Sequence, residues 1–350
     1  MYSKNKKTLT DLQMFLSMKQ IEQKALSKQT FMQSLVESGR QTTLSYTINT
    51  SIQNIISQIK SFGEVRIESK SFDMVLIKKK SKQAQLIVPA VQRRSIEDIK
   101  LMIHKTITIE RGYIYGCCIL PDGKLALTYN SYKTVILFSN SGLKDFEVKM
   151  PCKVFYIAYI SQDNALAVTS GNSEMCIIIV DIEKKQIKKT ILLDSNSYGI
   201  ALKDNRLIYS GHDKGIRMIN LYDESIRDIV RNKMPINCYT ATFRNNIYHT
   251  NYITNTVTCY NLQGKLQWTF HNERALKSPH GIDVDNDGNV YVVGNSLNNV
   301  VVISPDGQRH REVLTAKDGL FNPVALHYNG LNNQLLVANF NDTAFLFDLI

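Results

Sequence analysis

Gly281-Ile-Asp-Val-Asp-Asn-Asp-Gly-Asn-Val-Tyr-Val292 decides the fold, because the chain repeats its plan six times. A small residue opens two alternating apolar runs separated by a polar turn. The same plan is read in Gly116-Cys-Cys-Ile-Leu-Pro-Asp-Gly-Lys-Leu-Ala-Leu127, Ala158-Tyr-Ile-Ser-Gln-Asp-Asn-Ala-Leu-Ala-Val168 and Gly199-Ile-Ala-Leu-Lys-Asp-Asn-Arg-Leu-Ile-Tyr209. It returns in Ala241-Thr-Phe-Arg-Asn-Asn-Ile-Tyr248 and Ala325-Leu-His-Tyr-Asn-Gly-Leu-Asn-Asn-Gln-Leu-Leu-Val337. Successive small residues lie 42, 41, 42, 40 and 44 positions apart. A period of that size built only from short strands is the signature of a β-propeller with one four-stranded blade per repeat. Six repeats predict six blades.

The last repeat leaves room for only three strands, around residues 324–328, 334–339 and 344–349, before the chain stops. Upstream of the first repeat, Ile99, Leu101, Ile103, Ile107 and Ile109 alternate as if on one face of a strand. The end of that run, Thr106 to Glu110, is expected to supply the missing outer strand, so that the two ends of the propeller pair and no open sheet edge remains.

Composition sets limits on the class. With 43% hydrophobic residues but no apolar stretch near the ~20 residues that span a bilayer, and with the polar start Met1-Tyr-Ser-Lys-Asn-Lys-Lys7, the reading is of a cytoplasmic protein without a membrane segment. The six cysteines, at 117, 118, 152, 176, 238 and 259, show no Cys-x-x-Cys and no Cys/His cluster, so they read as small buried hydrophobes in a reducing compartment. The net charge of +11 divides unevenly: residues 1–104 carry 17 Lys+Arg against 8 Asp+Glu, and residues 105–350 carry 25 against 23. The propeller itself is therefore only +2, and the basic excess belongs to the leader, where such runs are most often solvated.

The leader reads as helical and then irregular. Met14, Met18, Ile21, Ala25, Met32 and Leu35, with Lys28 as a polar intruder, fall at steps of three and four, the seam of a short coiled coil. A second helix with Ile52, Ile55, Ile59 and Phe62 on one face stops at Gly63 and is expected to fold back on the first. The organisation is thus 1–63 coiled coil and fold-back helix, 64–104 a basic connector, and 105–350 a six-bladed propeller closed by a strand near 106–110. The fold class is mainly β with a preceding α-helical coiled coil.

A helix ending on Ser61-Phe-Gly-Glu-Val65, a connector and six propeller repeats resemble the C-terminal part of tripartite-motif (TRIM) proteins of the NHL-repeat type, in particular the expanded bivalve mollusc set. The stretch from Ser278 to Gly307 carries the resemblance along its whole length; the other repeats are degenerate. The resemblance implies an NHL-like propeller that recruits a protein substrate for ubiquitin transfer, an antiparallel coiled-coil homodimer or mixed dimer, and a link to innate immune signalling. It also implies a zinc-binding RING and B-boxes ahead of the coiled coil. None of those ligand spacings occurs in this sequence.

Site chemistry follows from the same frame. Asp283-Val-Asp-Asn-Asp-Gly288 matches the opening half of a calcium loop, but Gly294 stands where its bidentate Glu should be, so a tight strand connection is the better reading. The residues immediately before the small residues, Tyr115, Ile157, Tyr198, Thr240, His280 and Val324, include no carboxylate and one histidine, which is too few for a catalytic metal. No catalytic residue, metal or cofactor is expected, and a propeller hydrolase or lyase is the weakest reading. The expected partner-binding face holds Tyr115, Lys153, Tyr198, Lys214, Thr240, Lys277 and His280, together with the loops between second and third strands. A protein ligand is expected there. RNA held by Lys153, Lys214 and Lys277 is the alternative.

Overall fold

The computed structural model describes residues 94–108 and 112–350. The seam residues Met14, Met18, Ile21, Ala25, Met32 and Leu35, the fold-back helix and most of the basic connector lie outside the described residues. Among the described residues the only helical turns are three short 3-10 segments, His212–Lys214, Asn295–Leu297 and Ala316–Asp318.

Six four-stranded antiparallel sheets are present. β1 (Leu101–Thr108) comes first in the chain but belongs to the last sheet. Blade one is β2 (Ile114–Ile119), β3 (Leu125–Tyr129), β4 (Thr134–Phe138) and β5 (Lys144–Lys149). Blade two is β6 (Ile157–Ile160), β7 (Ala165–Thr169), β8 (Cys176–Asp181) and β9 (Gln186–Leu192). Blade three is β10 (Ile200–Lys203), β11 (Arg206–Ser210), β12 (Ile216–Asn220) and β13 (Ile226–Val230). Blade four is β14 (Thr240–Phe243), β15 (Asn246–Asn251), β16 (Thr256–Asn261) and β17 (Leu266–His271). Blade five is β18 (Pro279–Val284), β19 (Val290–Gly294), β20 (Asn299–Ile303) and β21 (His310–Leu314). Blade six is β22 (Pro323–Asn329), β23 (Gln334–Asn339) and β24 (Thr343–Leu349), completed by β1.

Burial explains the composition of each strand. The second and third strands are covered on both sides by neighbouring blades, so β3, β7, β19 and β20 are buried throughout and are nearly continuous apolar runs. The outer strand has a wet side, and β5 (Lys-Asp-Phe-Glu-Val-Lys) buries only Val148 fully. In all six sheets the register shifts by one where the third strand meets the outer one, between Leu137 and Phe138 in blade one and between Ile103 and Lys105 in blade six. Such bulges add twist and blunt an edge.

The bulge in β1 corrects the single face expected for Ile99 to Ile109. Ile99 and Leu101 pack with Tyr291, Val300 and Phe347 toward blade five, whereas Ile107 joins the cluster on the opposite side of the sheet and Ile103 is 58% exposed. The closing strand also begins at Leu101 rather than Thr106, and pairs from Leu101 with Leu349 to Thr108 with Thr343. Gly112 N–H to Asn341 O (3.1 Å) and Ile114 N–H to Phe340 O (2.8 Å) then tie blade one to blade six.

The small residue that opens each repeat is where inner strands approach most closely. A β-carbon on Gly199 would lie 2.4 Å from Thr240 N and 2.6 Å from Tyr239 Cα; one on Gly281 would lie 2.6 Å from Leu326 N; one on Gly116 would lie 2.9 Å from Tyr156 Cα. Hydroxyls at the end of the second strand strengthen the same junctions: Thr128 Oγ1 donates to Phe155 O (2.6 Å) and Thr169 Oγ1 to Tyr198 O (2.7 Å), each in the next blade's entry. In the following junctions Cys238 Sγ donates to Ser210 Oγ (2.8 Å), and Thr250 Oγ1 accepts from Tyr239 N–H (3.0 Å) within blade four.

Two outcomes follow. Gly199→Ala forces backbone against backbone and is expected to cost about 1–3 kcal/mol in urea unfolding, the range for overpacking a filled interior; unchanged stability would contradict the close approach. His249 in β15 is buried with Nε2 unpartnered, and burial lowers its pKa from 6.5 to about 4. The unfolded chain therefore takes up a proton that the folded ring refuses, so stability is full above the unfolded pKa and falls as pH drops toward 4, by about 2 kcal/mol at about pH 5. His249→Phe should remove that component of the pH dependence, measured by urea midpoints at neutral and acidic pH; equal slopes for the two proteins would contradict it.

Candidate functional site

The inner strands enter at one end of the ring and leave at the other, so the axis has two distinct mouths. At the entry end the tunnel is filled with rings. Tyr115 packs on Phe155 (centroids 5.1 Å) and Phe340 (5.4 Å), and Tyr113 stacks on Phe340 (4.6 Å). Phe155 meets Tyr198 (5.4 Å) and, across the axis, Tyr239 (5.2 Å); Tyr239 meets Tyr156 edge-on (4.9 Å) and His280 (5.8 Å). Tyr156 Oη donates to Leu326 O of blade six at 2.9 Å. Burial pushes the phenols of Tyr156 and Tyr239 well above their usual pKa and that of Tyr198 up to about 12, so these rings stay neutral.

This layer determines where the residues expected at the partner face stand. Tyr198 and Thr240 are buried (1% each) and do not reach the entry surface: Tyr198 packs edge-on against Phe155, and Thr240 lines the cavity that opens at the other end. Tyr115 is half-buried in the layer. His280 is half-buried between Tyr239 and Tyr252; burial lowers its pKa, and its Nδ1–H donates to Ser278 O at 2.8 Å, so it is a neutral hydrogen-bonding residue. Lys153, Lys214 and Lys277 are exposed, on separate connections of this end.

Around the sealed mouth lies a set of apolar side chains that the repeat pattern does not mark. Tyr113, Tyr132, Met175, Ile236, Ile253, Leu297 and Phe321, exposed by 39–64%, all sit on connections at the entry end. They are seven of the fifteen large hydrophobics exposed among the described residues, and they distribute around the ring rather than clustering in one blade.

The exit end is different. A cavity of about 360 Å³ opens there, lined by the ends of the inner strands and the turns that follow them. Asp283 and His327 line it on its blade-five and blade-six side, and Cys118 of blade one, outside the lining, meets His327. Asp283 accepts Tyr328 N–H (2.8 Å) and Val284 N–H (2.9 Å), and burial raises its pKa against the pull of His327 and those amides. For His327, burial lowers the pKa, but the Cys118 sulfur and then the Asp283 carboxylate outweigh it and raise it to about 9. Against this, Ile119 N–H donates to His327 Nδ1 at 3.2 Å, which only a bare Nδ1 can accept. The directional bond decides, and the ring is neutral with its proton on Nε2, facing Cys118 Sγ at 3.7 Å.

The three residues do not form a nucleophilic relay. Cys118 is fully buried, its thiol donates to Ile119 O at 3.7 Å, and the nitrogen that an orienting carboxylate would need is taken by Ile119. Nor do the aspartates of the calcium-like stretch converge. Asp285 accepts Asp287 N–H, Asn289 N–H and Asn289 Nδ2 (each 2.9 Å) within its own turn, with Gly288 at φ +94°, while Asp283 is directed to blade six.

Comparison with known proteins agrees with this architecture. A β-propeller repeat model matches residues 272–300. No curated protein sequence matches the chain. Among solved structures, a structural-genomics protein of unknown function from Bacteroides thetaiotaomicron is similar at 14% identity and TM-score 0.59 over 73% of each chain. Virginiamycin B lyase from Staphylococcus aureus aligns at 18% identity and TM-score 0.54, over 72% of this chain and all of its own. The WD40 β-propeller domain of Doa1 aligns at 12% identity and TM-score 0.54, over 71% of this chain and 97% of that one. At these identities what is shared is the propeller fold; the six sheets and the repeat at residues 272–300 are this chain's own.

Proposed function

We propose that the propeller is a non-catalytic recruiting module that binds a protein partner on its entry face. A propeller domain is suited to protein interaction, and the observation that carries the reading is the apolar ring around a mouth sealed by aromatic side chains. Such a face offers side chains of the kinds enriched at protein interfaces. The near-neutral balance of residues 105–350, 25 basic against 23 acidic, favours protein over RNA, because phosphate contacts need a basic footprint.

The resemblance to TRIM proteins extends the proposal: the face would select a substrate for ubiquitin transfer, and the coiled-coil seam would pair two propellers so that a repeated target is held with avidity. Cytoplasmic work is part of the same reading and is supported by six cysteines that are all free and buried. Among the described residues no helix is long and apolar enough to cross a membrane.

The test uses the full chain as bait in cell lysate treated with ribonuclease, compared with a Tyr132→Ser, Ile253→Ser, Phe321→Ser triple variant. Surface changes of this kind leave the fold within about 0.5 kcal/mol. The expected result is a specific protein captured by the parent chain and reduced about tenfold or more by the triple variant, while charge reversal at Lys153, Lys214 and Lys277 changes little. Capture that requires RNA and fails on lysine reversal would replace this reading with RNA recognition.

A further inference from the structure

The exit-end cavity is separate from the proposed partner face and carries unsatisfied chemistry of its own. Two buried side chains that line it have polar atoms without partners: Thr240 Oγ1 (residue 1% exposed) and Asn329 Nδ2 (7% exposed). Asn329 uses its other amide atom, Oδ1, to accept Leu331 N–H at 2.9 Å, so the orphan is a pure donor. An unsatisfied buried polar group is costly and is normally paired. Thr240 stands in blade four and Asn329 in blade six, on opposite sides of Asp283 in blade five.

Asp283 is the one carboxyl group among the residues lining this cavity. With His327 held neutral by Ile119, it makes no ion pair among the described residues, and its two amide donors leave further lone pairs free. At the mouth, Asp122, Asp163 and Asp204 on the turns leaving the inner strands are each paired with a lysine, Lys124, Lys188 and Lys203, so the carboxyl that faces the cavity itself is that of Asp283. A concave site lined by one sign of charge concentrates the opposite sign.

The walls include Tyr156, Tyr159 and Tyr328, whose hydroxyls are engaged with Leu326 O, Asn164 Oδ1 and Asn333 Oδ1. What these residues have left to offer a ligand is aromatic surface, which attracts an organic cation. The cavity volume of about 360 Å³ lies at the small end of ligand sites.

We propose that this cavity binds a small organic ammonium that also carries an oxygen acceptor, with Asp283 as counter-ion, Thr240 Oγ1 accepting an N–H, and Asn329 Nδ2 donating to the oxygen. The charge, the two orphaned atoms and the aromatic walls are each accounted for by one molecule of this class. An anion would be repelled by Asp283, and a plain hydrocarbon would leave Thr240 and Asn329 unsatisfied.

Three probes that differ in one group test this by calorimetric titration of the full chain: tyramine, with an ammonium; tyrosol, with a hydroxyl in its place; and 4-hydroxyphenylacetate, with a carboxylate. The expected order is tyramine tightest and the carboxylate weakest. Asp283→Asn, which keeps an oxygen for Tyr328 N–H, should weaken tyramine about tenfold or more and leave tyrosol unchanged. Thr240→Val, an isosteric removal of the unpaired hydroxyl, should also weaken tyramine, and it serves where Asp283→Asn does not fold. No saturable binding of tyramine, carboxylate binding as tight as the amine, or an Asp283→Asn protein that holds tyramine as well as the parent would each overturn the proposal. The triple variant of the entry face should bind tyramine normally, which separates failure of this site from failure of the partner-face reading.

Discussion

The pairing of β1 with β24 is the contact on which the rest of the molecule depends. It joins residues more than two hundred positions apart and converts five complete blades and one incomplete blade into a ring. Once the ring is closed, each inner strand is pressed against its neighbour, and the points of contact admit only glycine or a small residue, as the separations at Gly116, Gly199 and Gly281 show. Closure also sets Tyr113 of blade one on Phe340 of blade six, the first contact of the aromatic layer that seals the entry mouth. Without it the axis would have no fixed radius and neither mouth a fixed shape.

From that constraint the two ends diverge. Entry-end connections supply Phe155, Tyr198 and Tyr239, which fill the axis and leave exposed apolar groups around it. Exit-end turns are short, rich in Asp and Asn, and leave the last part of the axis empty. The volume of about 360 Å³ lies on the exit side of the plug, and Thr240 Oγ1 and Asn329 Nδ2 are the unpartnered atoms of residues that line it.

The blade count was legible because close packing of inner strands imposes a small residue at a fixed interval, and a fixed interval is visible in one dimension. The closing strand was legible as a deficit, three strands where four are needed. Its start and its faces were not, since the bulge between Ile103 and Lys105 reverses which side chains point inward, and simple alternation cannot register an inserted residue. The site was less legible. The residues just before each small position are expected at the entry mouth, yet Tyr198 is buried against Phe155 and Thr240 lines the exit cavity. Cys118, Asp283 and His327 did have a signal: each stands two places after the small residue of its repeat, in blades one, five and six, of which six and one become neighbours only when the ring closes.

Hydrogen exchange measured segment by segment on the full chain tests the closed ring most directly. The account predicts that amides of β1, Leu101 to Thr108, exchange as slowly as those of β23 and β24, and that all are released together by global unfolding. Fast exchange of β1 while β23 stays protected would show that the strand is not a fixed part of the sixth blade, and would contradict the account.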